Sequence, residues 1–317
     1  MSNLLSGQVV IAGRAAGPAL AANEPLSFWG GYDHATGEII DRRHPLSGQR
    51  ATGRILCLPF TRGSSTTTAV LLEAVRARTA PAAIVTTGVD TFFALASVVA
   101  DEMYGQPVPL LALGEEDFAR LRSGDWIALD GDGTLTVRPR PNDNTYWVSG
   151  QLLASEYPGH WDDAVARRRL QAYLDSGVTC FVDLTEEGEL APYDHLLPMH
   201  GANGQRVIYQ RMAIRDLGLP RSPEFMAAIL DRIEEAVGAG RTVNVHCWGG
   251  IGRTGTVVGC YLARQGRSGD AALAEIASHW QTVEKHTRHP RSPEMPEQMA
   301  YVRLWASQSG DETAHAR

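Results

Sequence analysis

Reactive side chains concentrate in one stretch, His246-Cys247-Trp248-Gly249-Gly250-Ile251-Gly252-Arg253-Thr254-Gly255, where a thiol and a guanidinium flank a run of glycines. Glycines accept the unusual φ/ψ values that turn successive backbone N–H groups to one side, forming a nest for an anion. Trp248, Gly249, Gly250, Ile251 and Gly252 are therefore the expected phosphate cradle, and Arg253 is expected to add a planar two-pronged donor to two phosphate oxygens. A helix starting near Thr254 would bring its positive end to the same place. In that field the Cys247 sulfur is expected to act as a thiolate nucleophile and form a cysteinyl-phosphate, with the Thr254 hydroxyl assisting its later departure. The leaving oxygen needs a proton, and Asp216 in Ile214-Arg215-Asp216-Leu217-Gly218-Leu219-Pro220 is the expected acid, on a turn-prone segment able to close over substrate. No step calls for a metal.

A second constellation is Pro59-Phe60-Thr61-Arg62-Gly63-Ser64-Ser65-Thr66-Thr67-Thr68, which ends a strand and opens a helix. Arg62, the two serines and free helix N–H groups could hold a carboxylate or phosphate. The same hydroxyls could equally do no more than cap the helix.

Around these residues the hydrophobic pattern predicts α/β organisation. Short apolar runs at 54–58 and 83–85 read as buried strands with a helix over 68–78 between them. A hairpin is expected over 125–137, turning at Asp130-Gly131-Asp132-Gly133. The segment Arg138-Pro139-Arg140-Pro141-Asn142-Asp143-Asn144 interrupts all periodicity and reads as a linker. Beyond it, helices are expected at 161–175, 222–237, 254–266, 270–287 and 292–308, and strands at 178–184 and 242–246. A chain of 317 residues suits two domains, here 1–139 and 140–317.

Composition narrows the partners. A formal charge of −7 argues against a nucleic-acid footprint, and almost all basic residues are arginine, Lys285 being the only lysine. There is no charged leader followed by a long apolar core and no run of 18 apolar residues, so a cytoplasmic protein without membrane contact is expected. Cys57, Cys180, Cys247 and Cys260 are scattered, which suits free thiols and predicts no metal site in this chain.

Residues 246–255 match the signature H-C-x-x-G-x-G-R-[ST]-G at every fixed position, and the chain resembles the protein tyrosine and dual-specificity phosphatases over about residues 144–308. That resemblance implies Cys247 as nucleophile, Arg253 as phosphate clamp, Asp216 as acid and base, and Gln298 as a residue that positions the hydrolytic water. The substrate would be a phosphorylated protein or a small phosphate ester. Residues 9 to about 139 resemble the small subunit, or swivel domain, of the aconitase X family through Glu24-Pro25-Leu26-Ser27-Phe28-Trp29-Gly30-Gly31, Asp41-Arg42-Arg43-His44-Pro45 and Arg62-Gly63-Ser64-Ser65. This second resemblance implies Ser64 as a catalytic base, with Arg62 and Ser65 binding substrate. It also implies a partner large subunit holding an iron–sulfur cluster, no cofactor being expected in this chain.

The expected fold is thus an aconitase-type β/α swivel domain followed by a cysteine-phosphatase α/β domain with a central, mainly parallel sheet. The expected function is phosphate-monoester hydrolysis, with the small subunit of a hydroxy-acid dehydratase of the phosphomevalonate type as the alternative.

Overall fold

The structure is a computed structural model that describes residues 3–63 and 65–314. The chain divides into two compact units that meet at Pro139 and Arg140. In the first, an eight-stranded sheet has the order β1 (Asn3–Ser6), β10 (Thr134–Arg138), β9 (Trp126–Leu129), β3 (Ala15–Ala21), β6 (Ile55–Cys57), β7 (Ala83–Thr86), β8 (Leu110–Ala112), β2 (Gln8–Ile11). Its β3, β6, β7 and β8 run parallel, crossing over through α1 (Thr66–Ala77) between β6 and β7 and through α2 (Thr91–Tyr104) between β7 and β8. Single short elements complete the unit: the pair β4 (Tyr32–Asp33) and β5 (Glu38–Ile39), and α3 (Glu115–Phe118).

Although β1 and β2 lie at opposite ends of the strand order, only Gly7 separates them in the chain, so the sheet closes on itself through that residue. Gly7 N donates to Gly133 O at 3.0 Å. A Cβ at Gly7 would sit 2.5 Å from the Ala112 carbonyl oxygen, too close for any side chain without backbone movement.

The second unit is built on a five-stranded sheet of order β11 (Thr145–Ser149), β12 (Leu152–Ser155), β15 (Thr242–His246), β13 (Val178–Asp183), β14 (Ile208–Arg211). Every pairing except β11 with β12 is parallel, and all residues of β13 and β15 are buried, as strands covered on both faces must be. Helices α4 (Asp163–Asp175), α5 (Pro223–Gly238), α6 (Gly252–Arg264), α7 (Gly269–Trp280) and α8 (Pro296–Ala314) complete it. Local chemistry explains their starts. Asp162 accepts from Ala164 N and Val165 N ahead of α4, and Ser222 accepts from Phe225 N with Pro223 in the first turn of α5. One face of α5 then buries Met226, Ile229, Leu230, Ile233 and Ala236.

Two expected helices have other bounds than their pattern. The one expected over 270–287 stops at Trp280, because the Thr282 hydroxyl donates back to His279 O and Val283 is drawn into the core, leaving a separate 3-10 turn at Glu284–Thr287. The one expected from 292 starts at Pro296, since Pro293 and Pro296 both lack the N–H a continuous helix would use. Among the described residues no helix is long and apolar enough to cross a membrane.

Closure through Gly7 predicts that Gly7→Ala lowers stability by about 2 kcal/mol. Hydrogen exchange on the full chain should place the loss in β1, β2, β8 and β10 and leave residues beyond 140 unchanged.

Candidate active site

The strand β15 delivers its last residue, His246, and then Cys247, to the edge from which α6 departs. Cys247 is 3% exposed, and the Trp248–Ile251 loop that follows wraps the start of α6. Gly250 has φ +73, and a Cβ there would lie 2.6 Å from Ser155 O, so only glycine lets the loop pack on the end of β12. Tyr157 N donates to Trp248 O at 2.9 Å, stitching the loop to the segment after β12. Among the described residues, the backbone N–H groups of 248–251 donate to no protein acceptor. The helix begins at Gly252, two residues ahead of expectation, so its first N–H groups belong to the cradle itself. Within that helix Thr254 is fully buried, and its hydroxyl has no hydrogen-bond partner.

Arg253 is 2% exposed, and its surroundings are the main thing the sequence did not foretell. Glu189 takes both prongs, from Nη1 at 2.8 Å and from Nη2 at 2.6 Å. Nη1 also donates to Ile214 O at 3.1 Å, and Nη2 lies 2.9 Å from Asp216 Oδ1. The two prongs expected to meet phosphate are therefore taken by Glu189, and Asp216 lies against Nη2 as an ion pair. Burial alone would lower the guanidinium pKa, but the Glu189 bonds and the neighbouring Cys247 and Asp216 raise it. Glu189 is in turn held below the ordinary glutamate range, Arg253 and the Glu186 N–H outweighing its partial burial.

Beneath Cys247 lies a buried polar network. His246 Nδ1 faces Cys247 O at 3.3 Å and Nε2 faces the Tyr193 hydroxyl at 2.6 Å. A carbonyl can only accept, so the proton sits on Nδ1 and Tyr193 donates to Nε2. Burial lowers the His246 pKa against the opposing pull of Asp183, 3.8 Å away. Asp183 is fully buried and accepts from Thr185 N at 2.8 Å, Thr185 Oγ1 at 2.7 Å and Tyr209 Oη at 2.7 Å. Desolvation opposes its charge, yet His246 and these bonds hold its pKa below 3.8.

Asp216 and Gln298 are both brought to the site. Gln298 is fully buried, donates from Nε2 to Gly218 O at 3.1 Å and accepts from Met295 N at 3.2 Å, so α8 grips the loop that carries Asp216. A Cβ on Gly252 would meet the Gln298 amide at 2.9 Å.

In the first unit, the three sequence segments singled out earlier converge. Arg62 Nη2 lies 3.5 Å from Asp41 Oδ2, Arg62 N donates to Leu26 O at 3.0 Å, and His44 Nε2 meets Glu24 O at 3.1 Å. Ser65 is exposed ahead of α1 and makes no side-chain cap bond. Ser64 lies outside the described residues. Asp90, not singled out from sequence, secures the arrangement: it accepts from Thr61 N at 2.7 Å and Thr61 Oγ1 at 2.9 Å while capping Phe92 N and Phe93 N of α2. The Asp90-Thr91 start and Gly105 stop of that helix were the available signal. Among the described residues no group of three His, Cys, Asp or Glu side chains could hold a metal ion. All four cysteines are buried and far apart in the sequence, Cys57 in β6, Cys180 in β13, Cys247 in the loop after β15 and Cys260 in α6.

Comparison with known proteins matches each unit separately. The profile described as "Aconitase X swivel domain" matches residues 4–137, and that described as "Polymorphic toxin system, DSP-PTPase phosphatase" matches residues 158–267. The cis-3-hydroxy-L-proline dehydratase of Pseudomonas aeruginosa is 43% identical over 136 residues, covering 43% of this chain and 23% of that protein. The phosphomevalonate dehydratase small subunit of Methanothermobacter thermautotrophicus is 34% identical over 114 residues, 36% of this chain and 82% of that subunit. Among solved structures, Tk-PTP in the active form aligns at 27% identity and TM-score 0.41, covering 52% of this chain and 97% of its own. The chain spans about a quarter to a third of the length of the first curated relatives it matches, at 23% and 33%.

The Asp183 network predicts a stability cost of about 3 kcal/mol for Asp183→Ala, since an uncompensated buried cluster remains. Its depressed pKa also fixes the sign with pH. The contribution is complete above the unfolded value of 3.8 and is lost as pH falls through the lower native value, so wild type and Asp183→Ala should converge in acid denaturation.

By its first unit the chain belongs to the aconitase X swivel family that includes the phosphomevalonate dehydratase small subunits, while residues 158–267 are similar to the DSP-PTPase phosphatase model.

Proposed function

We propose that residues 140–317 form a cysteine-dependent phosphatase that hydrolyses phosphate monoesters through a cysteinyl-phosphate. The observation that carries this reading is the meeting of three separate segments at Arg253: the cradle it belongs to, Glu189 behind it, and Asp216 at 2.9 Å in front. A phosphate entering the cradle would take the Nε and Nη2 edge of Arg253 and displace the Asp216 carboxylate, since both are anions competing for one donor edge. The displaced Asp216 takes up a proton from solvent as it turns to the leaving oxygen.

In the first step the Cys247 sulfur forms a bond to phosphorus as the ester P–O bond breaks, and Asp216 gives its proton to the departing oxygen. In the second, a water oxygen bonds to phosphorus as the S–P bond breaks, Asp216 takes the water proton, and inorganic phosphate leaves. The buried, unpartnered Thr254 hydroxyl is available to donate to the departing thiolate. Trp248, Gly249, Gly250, Ile251 and Gly252 hold the phosphoryl oxygens throughout by backbone N–H groups.

A second reading is favoured by the family membership of the first unit: with a partner large subunit bearing an iron–sulfur cluster, residues 1–139 would serve a hydroxy-acid dehydratase. Arg62 and Ser65 would contact substrate, and Ser64 would act as base. The phosphatase would then be accessory or regulatory. Mixing the chain with a phosphomevalonate dehydratase large subunit should restore water loss from phosphomevalonate; no restoration counts against this role.

For the phosphatase, Cys247→Ser should abolish release of phosphate from p-nitrophenyl phosphate, and Asp216→Asn should reduce kcat by roughly 10²–10⁴-fold. Unchanged turnover in Cys247→Ser would remove the reading.

A further inference from the structure

A pocket of about 320 Å³ opens beside the cradle, and its wall includes Glu156, His160, Trp161, Arg169, Trp248 and Lys285. It shares Trp248 with the cradle and is fixed to it. Lys285 Nζ donates to Gly249 O at 3.2 Å, and the Tyr157 N bond to Trp248 O spans the same seam. A phosphomonoester seated in the cradle therefore has this pocket next to its leaving group. Its size suits a small organic group.

The charges of the wall specify what kind of group. Its acid, Glu156, is spent in an ion pair with Lys285, the only lysine in the chain. Among the described residues Arg169 makes no ion pair, and its guanidinium donates from Nη1 to Gly159 O at a long 3.3 Å. His160 accepts at Nδ1 from Asp162 N at 3.0 Å, which leaves the Nε2–H as a donor. Two indoles stand exposed on the same wall, Trp161 at 81% and Trp248 at 56%, offering flat apolar surface between these donors and the cradle. Donors are in surplus there and acceptors are not. A single guanidinium offsets one negative charge, which suits a carboxylate better than a dianionic phosphate.

We propose that this pocket is a specificity subsite for a carboxylate on the leaving group, so that the substrate is a small phosphomonoester that also carries a carboxylic acid. The inference rests on the phosphatase reading above and adds to it the class of substrate. Arg169 is the specificity-determining residue, with His160 as a second donor.

The test compares 4-carboxyphenyl phosphate with phenyl phosphate, and with 1,4-phenylene bisphosphate as a third ester, on the full chain. The expected result is a kcat/KM for the carboxylated ester about tenfold above that for phenyl phosphate, and a loss of most of that ratio in Arg169→Gln. Binding of the same esters to Cys247→Ser, with and without Arg169→Gln, should show the same discrimination by calorimetry. Hydrolysis of all three esters without discrimination, or an equal loss on both monoesters in Arg169→Gln, overturns the subsite and leaves the phosphatase standing. A preference for the bisphosphate over the carboxylate overturns the assignment to a carboxylate. No hydrolysis, with discrimination intact in binding, overturns the phosphatase and leaves the subsite; neither hydrolysis nor discrimination overturns both.

Discussion

Burying a guanidinium is the constraint around which the second domain is organised. Arg253 sits almost wholly inside the protein, where an unpaired charge would cost several kcal/mol, so the fold must bring it a carboxylate and fill its remaining donors. It does so from two directions. Glu189 arrives on the connection after β13, and the carbonyl of Ile214 arrives on the connection after β14, both at the carboxyl edge of the parallel strands. Pairing one cation therefore fixes the ends of two strands relative to the cradle at the end of a third.

The layer beneath serves the same end by different means. Asp183 and His246 lie at paired positions on neighbouring parallel strands, β13 and β15. Hydroxyls of Tyr193, Tyr209 and Thr185 join the set, and the partly buried Arg211 pairs with Asp183 at 3.5 Å. Hydrogen-bonded buried networks of this kind rigidify what stands on them, here the carbonyl of Cys247. In the swivel unit one residue plays a comparable part: the Asp90 carboxylate ties Thr61, next to Arg62, to the start of α2.

How much of this could be read from the chain follows from the range of each interaction. The cradle was legible because its glycines, thiol and guanidinium are consecutive, and the buried strand and helix on either side carry their own local patterns. The loop that brings Asp216 to Arg253 was legible from its turn-forming residues. Glu189 was not, since it pairs with Arg253 across 64 residues and stands near Glu186 and Glu187, with nothing local to distinguish it. The closure of the first sheet was equally hidden, because β1 and β2 are four-residue strands whose partners β10 and β8 lie far along the chain. Helices ended where tertiary contacts stopped them, as at Trp280, whose Nε1 donates to His289 O.

Covalent capture of the intermediate tests the central claim most directly. Rapid acid quench of a single turnover of p-nitrophenyl phosphate, followed by peptide mass spectrometry, should find one phosphoryl group on the peptide containing Cys247, transient in the wild type and absent in Cys247→Ser. Release of phosphate with no phosphorylated cysteine at any time, or with the phosphoryl group on another residue, would contradict the assignment of Cys247 as nucleophile.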